Sequence, residues 1–313
     1  MSEPGRPTVT IGVPVYDGER YLAQMLESLA AQTYEDFEVV VSDNASTDRS
    51  VEIARDFAAR DPRIVISRSP VNRGAGWNFN RVLELGRGRY FKWQAHDDLV
   101  APTYLERCVA ALEADPGVVV AHTGVEMVDE SLELIERYGI RLRTDDPDPV
   151  VRFAEQVLRW NLCYDVFGLI RREALDRTEG MGNFSHGDGV LLAHLALLGR
   201  SELIDEPLFR SRQHELQSAR QFGHDGGGND YHDYAVWFDP SLDGRLTFPN
   251  WSIIGAYHRV IRLTDGLSAR DRARLEWVLA RRARQDVRLL AGDAAYAARF
   301  GTARLRGALS RRR

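Results

Sequence analysis

Apolar and polar residues follow two distinct patterns along roughly the first 120 positions of the chain. Short, nearly continuous apolar runs, such as those at 9–15, 37–42 and 118–122, are typical of strands that are covered on both faces. Between these runs, apolar residues recur every three or four positions, as over about residues 19–31, which predicts amphipathic helices. This alternation of strand and helix favours right-handed crossovers and a parallel sheet.

The segment Arg89–Asp98 places two adjacent carboxylates directly after an apolar and aromatic run. A strand over this run would deliver Asp97 and Asp98 to its carboxyl end, the edge at which open α/β sheets bind ligands. Pro102 then predicts the start of a helix that continues to about Ala114. Because neighbouring carboxylates repel each other, the pair indicates a divalent cation, Mn²⁺ or Mg²⁺, and a phosphate-bearing substrate. A solvated loop that caps the next helix is the alternative.

The composition is that of a chain with a full hydrophobic core. Its 313 residues are 44% hydrophobic and 28% charged, which predicts one large domain or a domain with an appendage. The sequence has no run of about 18 apolar residues, and residues 1–6 lack the apolar stretch of a signal peptide, so we expect a cytoplasmic protein. Cys108 and Cys163 have no metal-type spacing and are expected to be buried thiols.

The net charge of −5 conceals an asymmetry between the two ends of the chain. Residues 259–313 contain 15 Arg and five acids, so this region carries about +10 and the remainder about −15. The last segment, 294–313, alternates Arg with Ala and Leu, as in basic helices that lie on the inner face of an anionic membrane. Solvated helices are the alternative, which the sequence favours. The overall charge gives no reason to expect nucleic acid as a partner.

The strand ends carry acids and amides instead of the glycine-rich loops of common nucleotide-binding motifs. The loop after the first strand, 16–20, reads Tyr-Asp-Gly-Glu-Arg, and the chain contains no Walker-type Gly-Lys-Ser/Thr. Hydride transfer and ATP hydrolysis are therefore disfavoured. Acids and amides instead suit the edge of a base, a ribose and a metal ion.

Four motifs in sequence order resemble the nucleotide-sugar motifs of family 2 glycosyltransferases, which have the GT-A fold. They are Val13-Pro14-Val15-Tyr16, the segment 41–48, Asn72-Arg73-Gly74 with Asn80, and His96-Asp97-Asp98. The resemblance spans about residues 8–215. Where the family has Asp-X-Asp, this chain has Ala95-His96-Asp97, so metal binding would fall on Asp97 or Asp98.

The resemblance implies an α/β fold of the GT-A (Rossmann-like) type, with a mostly parallel sheet, flanking helices and a C-terminal helical extension. A nucleotide-sugar-binding half would cover 1–125, an acceptor-binding half 126–245, and a basic extension 246–313. It also implies that Asp43 accepts a hydrogen bond from the N3–H of a pyrimidine such as uracil. The other expected donor contacts are Pro14, Val15, Tyr16, Glu19, Asn44, Asn72, Arg73, Gly74, Asn80, His96, Asp97, Arg210 and Arg212.

Asp188 aligns with the second residue of the family's Glu-Asp pair, with Gly187 in place of the glutamate. The resemblance implies that Asp188 is the general base for an acceptor hydroxyl, with a plain helix N-cap as the alternative. His186 is a candidate to orient it. His214 follows Arg210 and Arg212 and would complete the metal shell, while the arginines would neutralise the departing diphosphate. The glycine-rich segment 221–230 is a candidate lid or a plain loop.

The predicted function is transfer of a sugar from a nucleotide diphosphate sugar, with UDP favoured, to an acceptor hydroxyl. The acceptor would be a carbohydrate, a lipid-linked compound or a small molecule. The mechanism would be a metal-assisted single displacement with inversion. A catalytically silent nucleotide-sugar-binding module is one alternative. A sugar-1-phosphate nucleotidyltransferase is another, but it needs a glycine-rich basic loop that residues 16–20 do not supply.

Overall fold

The computed structural model of the chain describes residues 6–215, Gln217 and 230–310. The candidate lid lies outside the described residues, except for Asp230. The strands are β1 (Val9–Val15), β2 (Phe37–Asp43), β3 (Ile64–Arg68), β4 (Tyr90–Trp93), β5 (Leu99–Val100), β6 (Val118–Val128), β7 (Leu134–Arg137), β8 (Leu169–Arg171) and β9 (Arg200–Arg212). The helices are α1 (Leu22–Ala30), α2 (Ser50–Ala58), α3 (Ala75–Leu85), α4 (Tyr104–Ala114), α5 (Pro149–Leu158), α6 (Arg172–Leu175), α7 (Gly187–Leu198), α8 (Asp230–Phe238), α9 (Pro249–Leu263), α10 (Ala269–Gln285) and α11 (Val287–Ser310).

One sheet runs through both halves of the predicted domain, in the order β3-β2-β1-β4-β8-β6-β9-β5, with β7 paired to β6. The four strands from β3 to β4 are parallel, as the alternating pattern predicts. Beyond them, β8 lies antiparallel between β4 and β6, and β9 runs parallel to β6. The predicted α/β fold with C-terminal helices is confirmed. The expected boundary at residue 125 lies inside β6, so the two halves share that strand.

Several helices begin later or earlier than the sequence predicts. The chain after Asp98 first forms the two-residue strand β5, which pairs with β9, and α4 therefore begins at Tyr104 instead of Pro102. The residue types of Ser46 and Thr47 favour an N-cap for α2 at one of these positions, but this prediction is wrong, because α2 begins only at Ser50. The Ser46 hydroxyl instead accepts a hydrogen bond from the loop after β1.

The core has three parts, and α7 belongs to two of them. One cluster packs α1 and α4 against the sheet, a second packs α3, α6 and α7 against it, and a third joins α5, α7, α9 and α10. Because α7 is covered by the sheet on one side and by helices on the other, nearly all of its residues are apolar and buried. Asp188 lies in its first turn.

The C-terminal helices are anchored to the start of α7 and to each other. The Tyr257 hydroxyl of α9 lies 2.9 Å from His186 Nε2, directly before α7. The buried Asp293 carboxylate of α11 accepts hydrogen bonds from the backbone N–H groups of Asn250 and Trp251 and from the Asn250 side chain. The predicted extension therefore shares a core with the segment that positions Asp188.

Replacing Asp293 with alanine should loosen this anchor. Three donors at the start of α9 would lose a charged acceptor in a buried place, which costs about 1–3 kcal/mol of unfolding free energy. Urea unfolding followed by circular dichroism measures this loss. Asp265→Ala, at an exposed position after α9, is the matched control and should be neutral. Equal stability of the two variants would contradict the anchoring role.

Candidate active site

The loops that follow β1 and β2 are joined by a ladder of hydrogen bonds. The Ser46 and Ser50 hydroxyls accept from the backbone N–H groups of Asp17 and Gly18, at 2.9 and 2.8 Å. The Glu19 carboxylate accepts from the N–H of Arg49 at 2.9 Å. These contacts fix both loops at the carboxyl edge of the sheet. They also occupy one oxygen of Glu19, a residue that the sequence predicts to contact the nucleotide-sugar donor.

Asp43 is the last residue of β2, and only 2% of it is exposed. One carboxylate oxygen accepts from the N–H of Ser46 at 3.1 Å, and the other lies 3.2 Å from Nε of the half-exposed Arg68. A carboxylate oxygen can accept more than one hydrogen bond, so these contacts leave capacity for a ligand. The adjacent β1 end supplies buried Pro14 and Val15 and the exposed Tyr16, which are the predicted walls of a base pocket.

The amide and glycine positions of the third motif build the loop that carries Arg73. The Asn44 side chain donates to Asn72 Oδ1 and to the Gly74 carbonyl, and it accepts from the N–H of Arg73. Gly74 has a φ of 88°, and a Cβ there would lie 2.3 Å from the carbonyl oxygen of Phe238, so only glycine fits. The Arg73 guanidinium lies over the ring of Trp77, 5.0 Å from its centre.

Two asparagines of α3 connect this loop region to its neighbours. Asn78, which the sequence analysis missed, donates to the carbonyls of Val15 and Ser42 and so ties β1 to β2. Asn80 exchanges hydrogen bonds with the backbone of Met181, in the segment that leads to α7. Both side chains are thus engaged in hydrogen bonds with other protein groups. A buried asparagine inside a helix is the signal that could have identified Asn78.

The two carboxylates after β4 meet the end of β9. Asp97 Oδ2 lies 2.8 Å from His214 Nε2, and Asp98 Oδ1 accepts from the backbone N–H of Arg212 at 2.9 Å. His96 packs against the loop after β1, since a Cβ at Gly18 would lie 2.6 Å from its ring. The structure therefore brings together the predicted ligands Asp97, Asp98 and His214.

The two acids have opposite electrostatic environments. Burial raises the pKa of Asp98 well above its usual value, and the negative charge of Asp97 adds to this. Burial acts in the same direction on Asp97, but the neighbouring His96 and His214 outweigh it and lower the pKa of Asp97. Asp97 is therefore the ionised member of the pair.

The Asp97–His214 pair fits a divalent cation. A carboxylate oxygen and an imidazole nitrogen are both metal ligands, and carboxylates suit Mn²⁺ and Mg²⁺. In addition, His214 Nδ1 is buried and has no hydrogen-bond partner within the described part of the chain. Asp98 is less suited, because one of its oxygens holds the backbone of Arg212.

The two predicted phosphate-binding arginines have protein partners. Arg212 is almost fully buried and donates to the carbonyls of Asp97 and Glu130 and to the Gln24 side chain. Its guanidinium also covers the ring of Tyr21. Arg210 is exposed and lies 3.3 Å from Glu126. Contact of either arginine with a diphosphate stays a prediction, and for Arg212 it would require these hydrogen bonds to be exchanged.

Lys92 is fully buried and interacts electrostatically with Asp98. The sequence analysis did not identify this interaction. Its ammonium donates to the carbonyl of Phe167 at 2.6 Å and lies over the rings of Tyr104 and Phe209. Burial lowers its pKa to about 7, although the charge of Asp98 acts in the opposite direction. The signal was present, because this is the only lysine of the chain and it lies inside an apolar strand.

Asp188 is the second residue of α7, and 39% of its side chain is exposed. The N-cap is His186, so the alternative that Asp188 is a plain N-cap is wrong. Asp188 Oδ1 accepts from the N–H of Gly189 and lies 3.8 Å from His186 Nδ1. A partly exposed carboxylate at a helix start can accept a proton from a bound group.

The segment 163–164 lies between Asp188 and the acidic pair. The Tyr164 hydroxyl lies 3.2 Å from Ser211 Oγ, next to Arg212, and the charge of Asp98 acts on Tyr164. The preceding residue, Cys163, lies near the Asp188 carboxylate. The neighbouring residues Cys163 and Tyr164 thus lie close to Asp188 and to Ser211, respectively.

The mixed sheet, its flanking helices and the acids at its carboxyl edge agree with the GT-A fold. The family model "Glycosyl transferase family 2" matches residues 10–178, more than half of the chain, and the chain belongs to this family.

Curated relatives share the N-terminal part of the chain. The putative glycosyltransferase EpsE of Bacillus subtilis is 35% identical over 144 residues, which cover 46% of this chain and 50% of that protein. An uncharacterized glycosyltransferase of Rickettsia typhi is 31% identical over 125 residues, 40% of this chain and 38% of that protein. The chain spans about half or less of the length of these relatives.

Solved structures share the fold over nearly the whole chain. S. aureus TarS 1-349 in complex with UDP-GlcNAc has a TM-score of 0.56 at 16% identity, covering 93% of this chain and 91% of that one. The mannosyltransferase PcManGT of Pyrobaculum calidifontis, in complex with GDP-Man and Mn²⁺, has a TM-score of 0.54 at 21% identity, covering 96% and 76%. These likenesses confirm the predicted GT-A fold.

Replacing Lys92 with methionine should change how stability depends on pH. The folded-state pKa of about 7 lies below the unfolded value of 10.5, so the unfolded chain binds the Lys92 proton more readily between these values. The wild-type free energy of unfolding, relative to Lys92→Met, should therefore rise with pH by up to about 1.4 kcal/mol per pH unit. Urea unfolding at several pH values between 7 and 10 measures this slope.

Arg55→Met is the matched control, because it removes a positive charge at an exposed position. Its stability difference from the wild type should stay constant with pH. A constant difference for Lys92→Met as well would show that the buried ammonium is not destabilised.

Proposed function

We propose that the chain transfers a sugar from a nucleotide diphosphate sugar, with UDP-sugars favoured, to an acceptor hydroxyl with inversion. The observation that carries the proposal is the contact between Asp97 and His214 at the carboxyl end of β4, in a member of this family. Structural neighbours with UDP-GlcNAc and with GDP-Man and Mn²⁺ support a nucleotide-sugar donor of either base type. Residues 1–125 would hold the donor and 126–245 the acceptor.

In the donor site, the buried Asp43 would accept the N3–H of a pyrimidine base beside Pro14, Val15 and Tyr16. Asp97 and His214 would hold Mn²⁺ or Mg²⁺, which when bound offsets the negative charge of the diphosphate. Asp98 would keep its bond to the backbone of Arg212 and so fix the position of His214. Arg73, on the neighbouring loop, is the arginine we expect closest to the phosphates.

In the acceptor site, Asp188 would remove the proton from the acceptor hydroxyl while that oxygen attacks the anomeric carbon. A new glycosidic C–O bond forms as the bond between the anomeric carbon and the diphosphate oxygen breaks. The proton goes to the Asp188 carboxylate, and the nucleoside diphosphate leaves with the bonding electron pair. Because attack and departure occur on opposite faces, the configuration at the anomeric carbon inverts.

One assay distinguishes the proposed glycosyltransferase from the two alternatives that the sequence left open, a nucleotidyltransferase and a silent binding module. A nucleotidyltransferase is disfavoured by the family and by the loop 16–20, whose side chains are engaged with the loop after β2. A silent binding module would bind donor without turnover. Release of nucleoside diphosphate from UDP-, GDP- or dTDP-sugars with Mn²⁺ supports an enzyme, and donor binding without release would contradict the proposal.

Two aspartate variants should separate the donor site from the base. Asp188→Asn should lower nucleoside diphosphate release by about 10²–10⁴-fold with donor binding intact, because an amide cannot accept the proton. Asp43→Ala should chiefly weaken donor binding. Donor binding is measured by thermal shift with the three donor types, with and without Mn²⁺.

Asp176→Asn, on the exposed turn after α6, is the matched control and should retain both donor binding and turnover. Weaker donor binding in Asp188→Asn, together with intact binding in Asp43→Ala, would overturn both assignments. Retention of the donor configuration in the product, read by NMR, would remove the base role from Asp188.

We also propose that α10 contacts an anionic membrane surface. Arg270, Trp277, Arg281 and Arg284 recur at helical spacing and are exposed, with 65% of Trp277 accessible. None of these arginines has an acidic partner within the described residues. Arginines attract anionic lipids, and tryptophan favours the interface. Among the described helices, none is long and apolar enough to cross a bilayer.

Co-sedimentation with vesicles tests this surface. The full-length protein should bind vesicles that contain phosphatidylglycerol, and binding should fall with added salt. Trp277→Ala and a variant with Arg270, Arg281 and Arg284 changed to glutamine should each bind several-fold less. Trp160→Ala is the matched control, because Trp160 is also 65% exposed but lies after α5. Equal recovery of all proteins would remove the membrane contact.

A further inference from the structure

We propose that Cys163, His186 and Asp188 form a second metal site, which binds Zn²⁺ at the predicted general base. One ligand atom from each residue, the Cys163 Sγ, an imidazole nitrogen of His186 and a carboxylate oxygen of Asp188, lies within 4.8 Å of the other two. Residue spacing does not indicate this site, because Cys163 is more than 20 positions from the other two ligands.

The ligand set differs in chemistry from the Asp97–His214 pair. Thiolate and imidazole ligands favour Zn²⁺, whereas carboxylates and water suit Mn²⁺ and Mg²⁺. Three protein ligands with a fourth, open position are typical of reactive zinc sites. Tetrahedral zinc bonds of about 2.0–2.3 Å place neighbouring ligand atoms about 3.3–3.8 Å apart. His186 Nδ1 and Asp188 Oδ1 are already at 3.8 Å, so only modest side-chain rotation is needed to close the site.

The His186 ring is oriented for metal binding. Its Nε2 lies 2.9 Å from the hydroxyl of the buried Tyr257, and its Nδ1 faces Asp188. Histidines that bind metals commonly engage their second ring nitrogen with a protein group, which fixes the tautomer. In the tautomer that is protonated at Nε2, the Nδ1 atom carries the lone pair that would bind a metal. Gly189 makes room for the ring, because a Cβ there would lie 2.3 Å from it.

Two of the three ligands have a strained backbone. Cys163 and His186 have φ values of 54° and 66°, in the left-handed region that residues with a Cβ rarely adopt. Such conformations are energetically unfavourable and persist where neighbouring contacts enforce them. For Cys163 these include the Asn161 side chain, which accepts from its N–H, and the Tyr138 hydroxyl, which accepts from the preceding N–H. Two of the five non-glycine residues with positive φ among the described residues therefore lie in this cluster.

Zinc binding would exchange a proton for the metal. Burial and the charges of Asp188 and Asp165 raise the pKa of the Cys163 thiol, so without metal the thiol is neutral. On binding, the S–H proton passes to solvent, the thiolate donates an electron pair to Zn²⁺, and affinity rises with pH. When its carboxylate is bound to zinc, Asp188 cannot remove the proton from the acceptor hydroxyl, so the metal would inhibit sugar transfer. This inhibition rests on the proposed function, whereas metal binding does not.

Titration of the full-length, metal-free protein with Co²⁺ tests the site, because cobalt bound to a thiolate gives a near-ultraviolet charge-transfer band. The wild type should show this band at one equivalent, and Zn²⁺ should displace it. Cys163→Ser should lose it, and His186→Gln should weaken it at least tenfold in Co²⁺ affinity. Cys108→Ser is the matched control, since the only other cysteine is buried between α4 and the sheet, and it should keep the band.

Absence of the band from wild type, or its survival in Cys163→Ser, would overturn the inference. If Cys163→Ser does not fold, His186→Gln, whose folding is checked by circular dichroism, carries the same decision. In the transfer assay with Mn²⁺, stoichiometric Zn²⁺ should lower turnover at least tenfold in wild type and Cys108→Ser, with UDP-sugar binding unchanged. A cobalt band in a protein without transferase activity would uphold the metal site and reject the proposed function, and an active protein without the band would do the reverse.

Discussion

The candidate active site at the carboxyl edge of the sheet depends on the contact between the end of β9 and the loop after β4. Asp98 accepts from the backbone N–H of Arg212, and Asp97 contacts His214, across more than 100 positions of sequence. Two adjacent carboxylates next to a buried strand are costly unless each has its own partner. The backbone N–H of Arg212 donates to Asp98, and the imidazole of His214 contacts Asp97. The ammonium of Lys92 interacts electrostatically with Asp98. Because these contacts join the loop after β4 to the end of β9, the two segments cannot separate without exposing an uncompensated acid.

A second constraint fixes the other side of the site. Helix α7 is covered by the sheet and by α5, α9 and α10, so its first turn is held by the whole C-terminal part of the fold. Tyr257 transmits this support to His186, two positions before Asp188. The C-terminal helices therefore support the segment that carries Asp188, and their exposed surface is available for another partner.

Sequence reasoning predicted what depends on local patterns and failed where a distant partner decides. The strands β1 to β4, helix α7 and the clustering of Asp97 with His214 follow from periodicity and from the family resemblance. The strand β5 is only two residues long, too short for a pattern, and it depends on pairing with the distant strand β9. Asn44 and Gly74 were predicted as donor contacts because a motif specifies a residue type, whereas their hydrogen bonds and backbone angle show that they build the loop. Arg212 likewise is buried and hydrogen-bonds to three protein groups, a role that its place in a polar motif does not predict.

The environments of the acids explain how one sheet edge can hold groups with different tasks. Asp97 is kept ionised by neighbouring imidazoles, which suits permanent ligation of a cation. Asp98 is fully enclosed and serves the backbone. Asp188 is partly exposed and contacts groups of its own helix end, so a bound hydroxyl can reach it and its protonation costs little structure. Carboxylates whose surroundings differ in this way take separate roles in acid–base chemistry. The same exposure leaves Asp188 open to a soft metal ion, because its neighbours Cys163 and His186 are ligands and not cations that would repel one.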